Sequence, residues 1–430
     1  MLEIQDTQVD RLGECAIDTP LRIPKFIDEG QRIVVDVDYE SLRKSIAGNG
    51  DTASFENAGP RRKIFFDPAN TRAAIVTCGG LCPGINNVIR GIVLELFHQY
   101  KVKSIYGVRY GFEGLIPKFG HGFMTLTPEV VENLHIEGGT LLGSSRGNQN
   151  IEEMVDTLEA NYISILFTIG GDGTLRGTQA IYEEIAKRGL KISIVGVPKT
   201  IDNDISYVDR TFGFETAVST ATPVLYSAHA EAKGARNGIG LVKVMGRDSG
   251  FIAATTAIAS NVVNYVLIPE APFRLHGPGG FLEHLHHRLV TKKHAVILAA
   301  EGAGQEYFEG LNEFDASGNK KKGDIGTYLR DQITGYFKEK NTHINLKYID
   351  PSYIIRSVPA SPDDAVFCIM LAQNAVHGAM SGRSGFLVGR WNKFFTFIPL
   401  KLATKTRKKV DPKGYLWSIV KETTGQEDFT

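Results

Sequence analysis

The chain has 430 residues, of which 42% are hydrophobic and 22% charged, enough for two or three domains with substantial cores. Lys and Arg together number 48, as do Asp and Glu, so the formal net charge is zero and the basic footprint of a general nucleic-acid binder is missing. No apolar run approaches the roughly 20 residues that span a bilayer. The opening MLEIQDTQVD lacks a basic stretch followed by an apolar one, and the closing QEDFT carries no lipidation or peroxisomal signal. A cytoplasmic protein with no membrane partner is therefore expected. Cys15, Cys78, Cys82 and Cys368 form no disulfide framework, and no second pair completes a zinc site with Cys78 and Cys82.

Residues 1–70 are weakly periodic, with a loop-like NGDTASFENAGPRRK at 49–63, and are expected to be an N-terminal extension packed on the main body. Buried strands are predicted at 73–77 (AAIVT), 104–108 (SIYGV), 165–169 (ILFTI) and 192–197 (ISIVGV). Others are predicted at 239–245 (IGLVKVM), 265–268 (YVLI) and 294–300 (HAVILAA). Helical spacing marks 86–100, 151–162, 178–189, 251–260 and the Ala-rich 365–380. Short apolar runs alternating with helices indicate βαβ units around parallel sheets. The basic KLATKTRKK at 401–409 reads as a solvated face, and NKKKGD at 319–324 as a loop tip. His284, His286 and His287 have no acid cluster beside them and are assigned to a partly exposed helix rather than to a metal.

Parallel sheets place ligands at the carboxyl ends of their strands, so the residues after each apolar run carry the functional signal. After 73–77 comes CGGLCPGINN, and after 165–169 comes GGDGTLRG, each leading into a helix. Paired glycines let backbone approach a phosphate, and the helix N-terminus then offers unpaired N–H groups and a positive dipole end. Asp172 between two glycines suits a Mg²⁺ ligand, or equally a cap of the following helix. After 192–197 comes PKTIDNDI, where Lys199 stands next to Thr200 and two aspartates, Asp202 and Asp204. Turn residues explain one aspartate well, but not the pair.

GGDGT alone resembles the nucleotide-binding motif of 6-phosphofructokinases, NAD kinases and diacylglycerol-type lipid kinases. PKTIDNDI separates them, because it is similar to the catalytic motif of the phosphofructokinases and the other two families lack it. More marks of that family follow in order: GGLCPGINNVIRG (79–91), LGSSRG (142–147), GFETA (213–217), MGRDSGFIA (245–253), PE (269–270), AEG (300–302) and YIIR (353–356). The resemblance implies two Rossmann-like α/β/α domains with parallel sheets, beside the N-terminal extension. The donor domain would comprise 71–213 and about 357–400, the sugar-phosphate domain 214–356, and 401–430 would form a tail.

The implied reaction moves a phosphoryl group from ATP, with Mg²⁺, onto the 1-hydroxyl of fructose 6-phosphate in glycolysis. By motif position, Asp202 would be the base, ionised at neutral pH as carboxylates near pH 4 ordinarily are. Asp204 would orient the site or bind the metal through water, and Ile201 would contact the sugar. Thr200 would contact the sugar or the transferring phosphoryl group, and Lys199, near the transferring phosphate, and Arg247 would complete the catalytic set. Gly80, Arg146, Gly147, Gly171, Gly173 and Thr174 would cradle the donor phosphates, with Asp172 on the metal. Met245, Gly246 and Arg247 would line the sugar pocket, Glu301 would accept sugar hydroxyls, and Tyr353, Ile354, Ile355 and Arg356 would lie near the 6-phosphate.

Two positions depart from the bacterial ATP enzymes: Tyr353 replaces a His, and the Arg supplied by a neighbouring subunit falls near Gly238 or Gly240. Arg236 and Lys243 are the candidate substitutes. Gly173 resembles the ATP-using members and Lys199 the pyrophosphate-using ones. A carboxylate at 173 would fill and repel the α-phosphate space, whereas Lys199 excludes nothing, so ATP is expected as the donor. The mixed pair matches ATP-dependent enzymes related to the pyrophosphate type. A pyrophosphate-dependent enzyme and a non-catalytic sugar-phosphate-binding subunit are the alternatives. A homotetramer or homodimer and allosteric control are also implied by the resemblance.

Overall fold

Residue 2 and residues 4–49, 52–308 and 321–429 are described by a computed structural model. The chain divides into two compact units. The first joins Met1–Thr200, Ile205–Gly213 and Val358–Arg407; the second joins Ile201–Asp204, Phe214–Ser357 and Lys408–Thr430. In chain order the strands of the two main sheets are β1 (Arg32–Val34), β2 (Ser54–Asn57), β3 (Arg72–Thr77), β4 (Ser104–Val108), β5 (Phe123–Thr125), β6 (Ile165–Gly170) and β7 (Ser193–Pro198). They continue with β8 (Gly238–Val244), β9 (Tyr265–Leu267), β10 (His294–Ala300), β11 (Asn345–Ile349), β12 (Phe386–Trp391) and β13 (Phe394–Pro399).

The first unit holds a sheet of order β1-β2-β13-β12-β7-β6-β3-β4-β5. Its centre, β12 to β4, is parallel. β6 and β7 are buried at every position, which explains their unbroken apolar runs. The margins are antiparallel, so this sheet is mixed rather than purely parallel. At the margin beyond β12 two features cause this. Residues 1–70 supply β1 and β2, so that stretch extends the sheet. Trp391-Asn392-Lys393-Phe394 forms a two-residue hairpin in which Asn392 and Lys393 both have positive φ, 50° and 70°, as a twist-compatible turn requires. The fully buried Arg383 bonds Glu56 at 2.6 Å and Glu29 at 2.7 Å, fastening the N-terminal residues to the chain before β12.

The second unit holds an all-parallel sheet of order β9-β10-β8-β11. The helices used below are α1 (Ile85–Leu94), α2 (Asp172–Lys187), α3 (Phe214–Gly234), α4 (Phe251–Ser260), α5 (Phe281–Lys292), α6 (Ile325–Glu339) and α7 (Tyr415–Thr424). α2 begins six residues before its predicted start, directly from the glycine turn. α3 runs through Pro223, a residue that argues against an interior helix from sequence alone. His284 and His286 lie on α5, where their rings pack on Phe429 and on Phe337.

The stretch 401–430 is not a tail: residues up to Arg407 belong to the first unit, and Lys408 onward to the second, where α7 and the buried Phe429 join the core. Alternation along β8 sets what each face can carry. Ile239 and Leu241 enter the core, whereas Gly238 and Gly240 lie against α3. A Cβ at Gly238 would stand 2.1 Å from Ala232 O, so no side chain fits there. Gly238→Ala should therefore cost about 1–3 kcal/mol through overpacking, read as a lower urea midpoint. Gly335→Ala, at an open helical position, serves as the control and should not destabilise.

Candidate active site

Three turns meet at the carboxyl ends of β3, β6 and β7 in the first unit. Gly79 has φ +84° and donates its N–H to Ser145 O at 3.2 Å, while Ser144 Oγ donates to Gly79 O at 2.6 Å. Lys199 is buried; its N–H reaches Gly170 O at 2.9 Å and its Nζ reaches Gly80 O at 2.7 Å. The structure thus brings Gly80, the loop of Arg146 and Gly147, the Gly171–Thr174 turn and Lys199 together. Gly147 has φ +106° and Arg146 is exposed to solvent. Thr200 closes the group by accepting Thr211 Oγ1 at 2.6 Å on its carbonyl.

Some of these glycines are forced and one is not. A Cβ at Gly170 would stand 2.3 Å from the Thr174 side chain. At Gly173 nothing lies within 4 Å of a built Cβ and φ is not positive, so neither packing nor backbone demands glycine there. Asp172 opens α2, and its Oδ2 accepts from Arg407 Nη2 at 2.6 Å, Arg407 Nε at 3.0 Å and Arg176 Nη2 at 2.9 Å. Arg407 lies in the basic stretch expected to be a solvated face; there, Leu402 and Ala403 are buried and Arg407 is committed to a site carboxylate. No group of three or more His, Cys, Asp or Glu able to hold a metal occurs among the described residues. A lone carboxylate bonded through one oxygen fits a cation carried in by a nucleotide, which keeps most of its waters, rather than a resident protein-caged ion.

In the second unit, Ile201 is buried and Asp202 Oδ2 accepts Arg247 N–H at 3.4 Å. Ser249 Oγ donates to Asp202 O at 2.9 Å, and Asn203 adopts φ 54° with its Oδ1 accepting Lys408 Nζ at 3.1 Å. Lys408 N–H also bonds Asp204 O at 2.9 Å, and Asp204 is buried. Burial, reinforced by the negative charges of Asp204 and Glu301, pushes the Asp202 carboxyl up to about 8. The expectation of an ordinary carboxylate is therefore corrected in direction: desolvation outweighs the backbone donor from Arg247.

Met245, Gly246 and Arg247 follow β8; Gly246 takes φ +129° and accepts Gly302 N–H at 3.0 Å. Glu301 follows β10, and its carboxyl is raised by burial, with Arg247, Lys243 and Arg356 pulling the other way. Tyr353 and Ile354 are 75% and 59% exposed, Ile355 is buried, and the Arg356 guanidinium lies 4.8 Å from the Tyr353 ring centre. Glu270 of the PE pair accepts Gly250 N–H at 3.0 Å and Val410 N–H at 2.9 Å, so it fastens the start of α4. Sequence reasoning missed Arg407, Lys408 and Ser249. The signal for the first two was the basic run itself, which is unusual beside a sheet end.

With this geometry in view, the chain matches the phosphofructokinase family over residues 72–379. It belongs to that family. It is 51% identical, over 98% of its length and 97% of the relative's, to an ATP-dependent 6-phosphofructokinase of Borreliella burgdorferi. It is 46% identical to the enzyme of that description from Amycolatopsis methanolica, over 99% of this chain and 96% of that one. In fold it resembles a pyrophosphate-dependent phosphofructokinase from Marinobacter aquaeolei, with a TM-score of 0.66 at 21% identity, covering 80% of this chain and 86% of that one. It also resembles the phosphofructokinase of Saccharomyces cerevisiae, with a TM-score of 0.63 at 24% identity, over 78% of this chain and 45% of that one. Among the described residues, no helix is long and apolar enough to cross a membrane.

The raised Asp202 carboxyl has a thermodynamic consequence for this family member. The folded chain holds the proton more tightly than the unfolded chain does, so its stabilisation is complete below about pH 4 and is lost as pH rises through about 8. Asp202→Asn should therefore raise the melting temperature at pH 8 and above while leaving it nearly unchanged near pH 4, measured by scanning calorimetry across that range. An equal shift at both pH values would contradict the assignment.

Proposed function

We propose that the protein is an ATP-dependent 6-phosphofructokinase that phosphorylates fructose 6-phosphate at its 1-hydroxyl, giving the 1,6-bisphosphate and ADP. The observation that carries this reading is the geometry around the Asp202 carboxyl, whose Oδ2 accepts the Arg247 backbone N–H at 3.4 Å and which stands two residues from the buried Asp204. Burial and these neighbours raise it above the usual carboxylate range. A base is most effective when its pKa lies near the working pH, where basicity and ionised fraction are both appreciable. Asp202 takes the proton of the attacking hydroxyl. Asp204 and Glu301 raise its basicity by their charge, and Glu301 accepts a sugar hydroxyl. Arg356 meets the 6-phosphate as a bidentate fork, with Tyr353, Ile354 and Ile355 in its loop, and Met245, Gly246 and Arg247 border the sugar.

Residues of the first unit take the donor. The turns at Gly80 and Gly171–Thr174 present backbone N–H groups to its phosphates, and Arg146 and Gly147 close over them. Asp172 would hold Mg²⁺, which when bound shields the charge of the donor phosphates. Lys199 bonds Gly80 O, which gives it the task of fixing the cradle and leaves its presence neutral between donors. Gly173 favours ATP, because the space before it is open and a carboxylate would fill it. A cytoplasmic, allosteric homotetramer acting in glycolysis completes the reading.

Purified protein should consume ATP with fructose 6-phosphate and ignore pyrophosphate; the reverse would replace this reading by the pyrophosphate-dependent one, and no turnover with either donor would favour a non-catalytic subunit. Gly173→Asp should lower kcat/KM for ATP on the order of tenfold or more. The same variant should fold normally, since an acidic residue in the first turn of a helix is favourable.

A further inference from the structure

The Arg that a neighbouring subunit supplies in the bacterial ATP enzymes would fall at Gly238 or Gly240, and α3 leaves no room for a side chain at either position. Of the candidate substitutes, Arg236 is exposed in the turn before β8. Lys243 is different. It shares the sheet face of Ile239 and Leu241, which end in the core, and it lies at the carboxyl edge where that core stops. Its aliphatic stem follows the apolar face while the ammonium reaches the edge.

There Nζ meets two carboxylates of the same unit, Asp324 Oδ1 at 3.0 Å and Asp350 Oδ2 at 2.9 Å. Asp324 caps α6, accepting Gly326 N–H at 3.2 Å and Thr327 N–H at 3.4 Å. Asp350 follows β11, and its Oδ1 accepts both the N–H, at 3.1 Å, and the hydroxyl of Ser352. That bond pair opens a turn in which Ile354 N–H and Ile355 N–H both reach Pro351 O, at 2.8 and 3.0 Å. The turn presents Tyr353 and Arg356. One lysine thus links the strand leading to Met245–Arg247 with the loop leading to Arg356, by way of an aspartate whose second oxygen shapes that loop.

We infer that Lys243 is a positioning residue for the sugar phosphate: through Asp350 it sets the loop that aims Arg356 at the 6-phosphate, and it is not a cation offered to a neighbouring subunit. The inference rests on the acceptor assignment proposed above. It explains why a cation stands here although its charge is spent within the unit. A carboxylate pair at a sheet edge facing an anionic substrate would repel it; the lysine cancels one charge and fixes the other group's geometry. Asp324 and Asp350 are 49% and 35% exposed on their side chains, so losing the lysine leaves neither of its two bonded partners deeply buried, and the fold should tolerate it.

The test is steady-state kinetics of the full chain with Lys243→Met, Lys243→Arg, Asp350→Asn and Asp324→Asn. Lys243→Met should raise KM for fructose 6-phosphate about tenfold or more, with kcat and KM for ATP changed little. It should also weaken competitive inhibition by inorganic phosphate against fructose 6-phosphate by a similar factor. Lys243→Arg should recover most of the loss. Asp350→Asn should reproduce the KM effect, and the double variant Lys243→Met with Asp350→Asn should be no worse than either single one, whereas Asp324→Asn should leave KM near wild type. Equal effects on both substrates, or a lower melting temperature with unchanged KM, would reduce Lys243 to a structural ion pair and overturn the inference. If the wild type fails to turn over fructose 6-phosphate, the acceptor assignment fails first; inorganic phosphate binding by calorimetry to wild type and Lys243→Met then still separates the two failures. Equal phosphate affinity overturns the positioning role, and weaker affinity in the variant supports it.

Discussion

The desolvation of one carboxyl group governs the second unit of this molecule. Asp202 is held where burial outweighs the backbone N–H of Arg247, and Asp204 and Glu301 add negative charge nearby. A group in that position works against stability once it is ionised, so the chain around it must be fixed by other bonds. Asn203 in the left-handed region, Ser249 on the Asp202 carbonyl and Lys408 on both Asn203 and the Asp204 carbonyl provide them. In the proposed reading, basicity near the working pH is the chemical return on this strain between stability and ionisation.

Cations in this protein serve geometry before they serve ligands. Lys199 closes on Gly80, Arg407 on Asp172, Lys408 on Asn203, and Lys243 on Asp324 and Asp350. In each case a basic side chain fixes a turn or helix start at the carboxyl edge of a parallel sheet. That edge is where strand ends and helix N-termini converge, and where a small displacement of backbone N–H groups would matter most for phosphate recognition. A chain of zero net charge can therefore still concentrate positive groups where anions arrive.

Local signals made the central strands legible. Residues 104–108 and 294–300 are strands with the bounds their apolar runs suggest; 294–300 is buried at six of its seven positions, and a strand covered on both faces reads as a continuous apolar run. The glycine turn after β3 was legible for a different reason, since Gly79 occupies a backbone region that other residues avoid. What escaped was set by distant chain. β2 pairs with β13, more than three hundred residues away in the chain (Asn57 opposite Thr396), and α3 tolerates Pro223 because packing against β8 holds it. The basic run at 401–409 reads as solvated by composition alone; only tertiary structure brings Arg407 to Asp172. The raised Asp202 carboxyl was equally invisible, because its main cause is burial, which the motif does not show, and the charge of Glu301, almost a hundred residues on, adds to that of Asp204 beside it.

The most direct measurement of the account is a proton-binding difference titration of the ligand-free wild type against Asp202→Asn. One additional proton should be released by the wild type with a midpoint well above the usual carboxylate range, at about 8. A midpoint near the ordinary carboxylate value of about 4 would contradict the claim that burial has made Asp202 a base matched to its reaction.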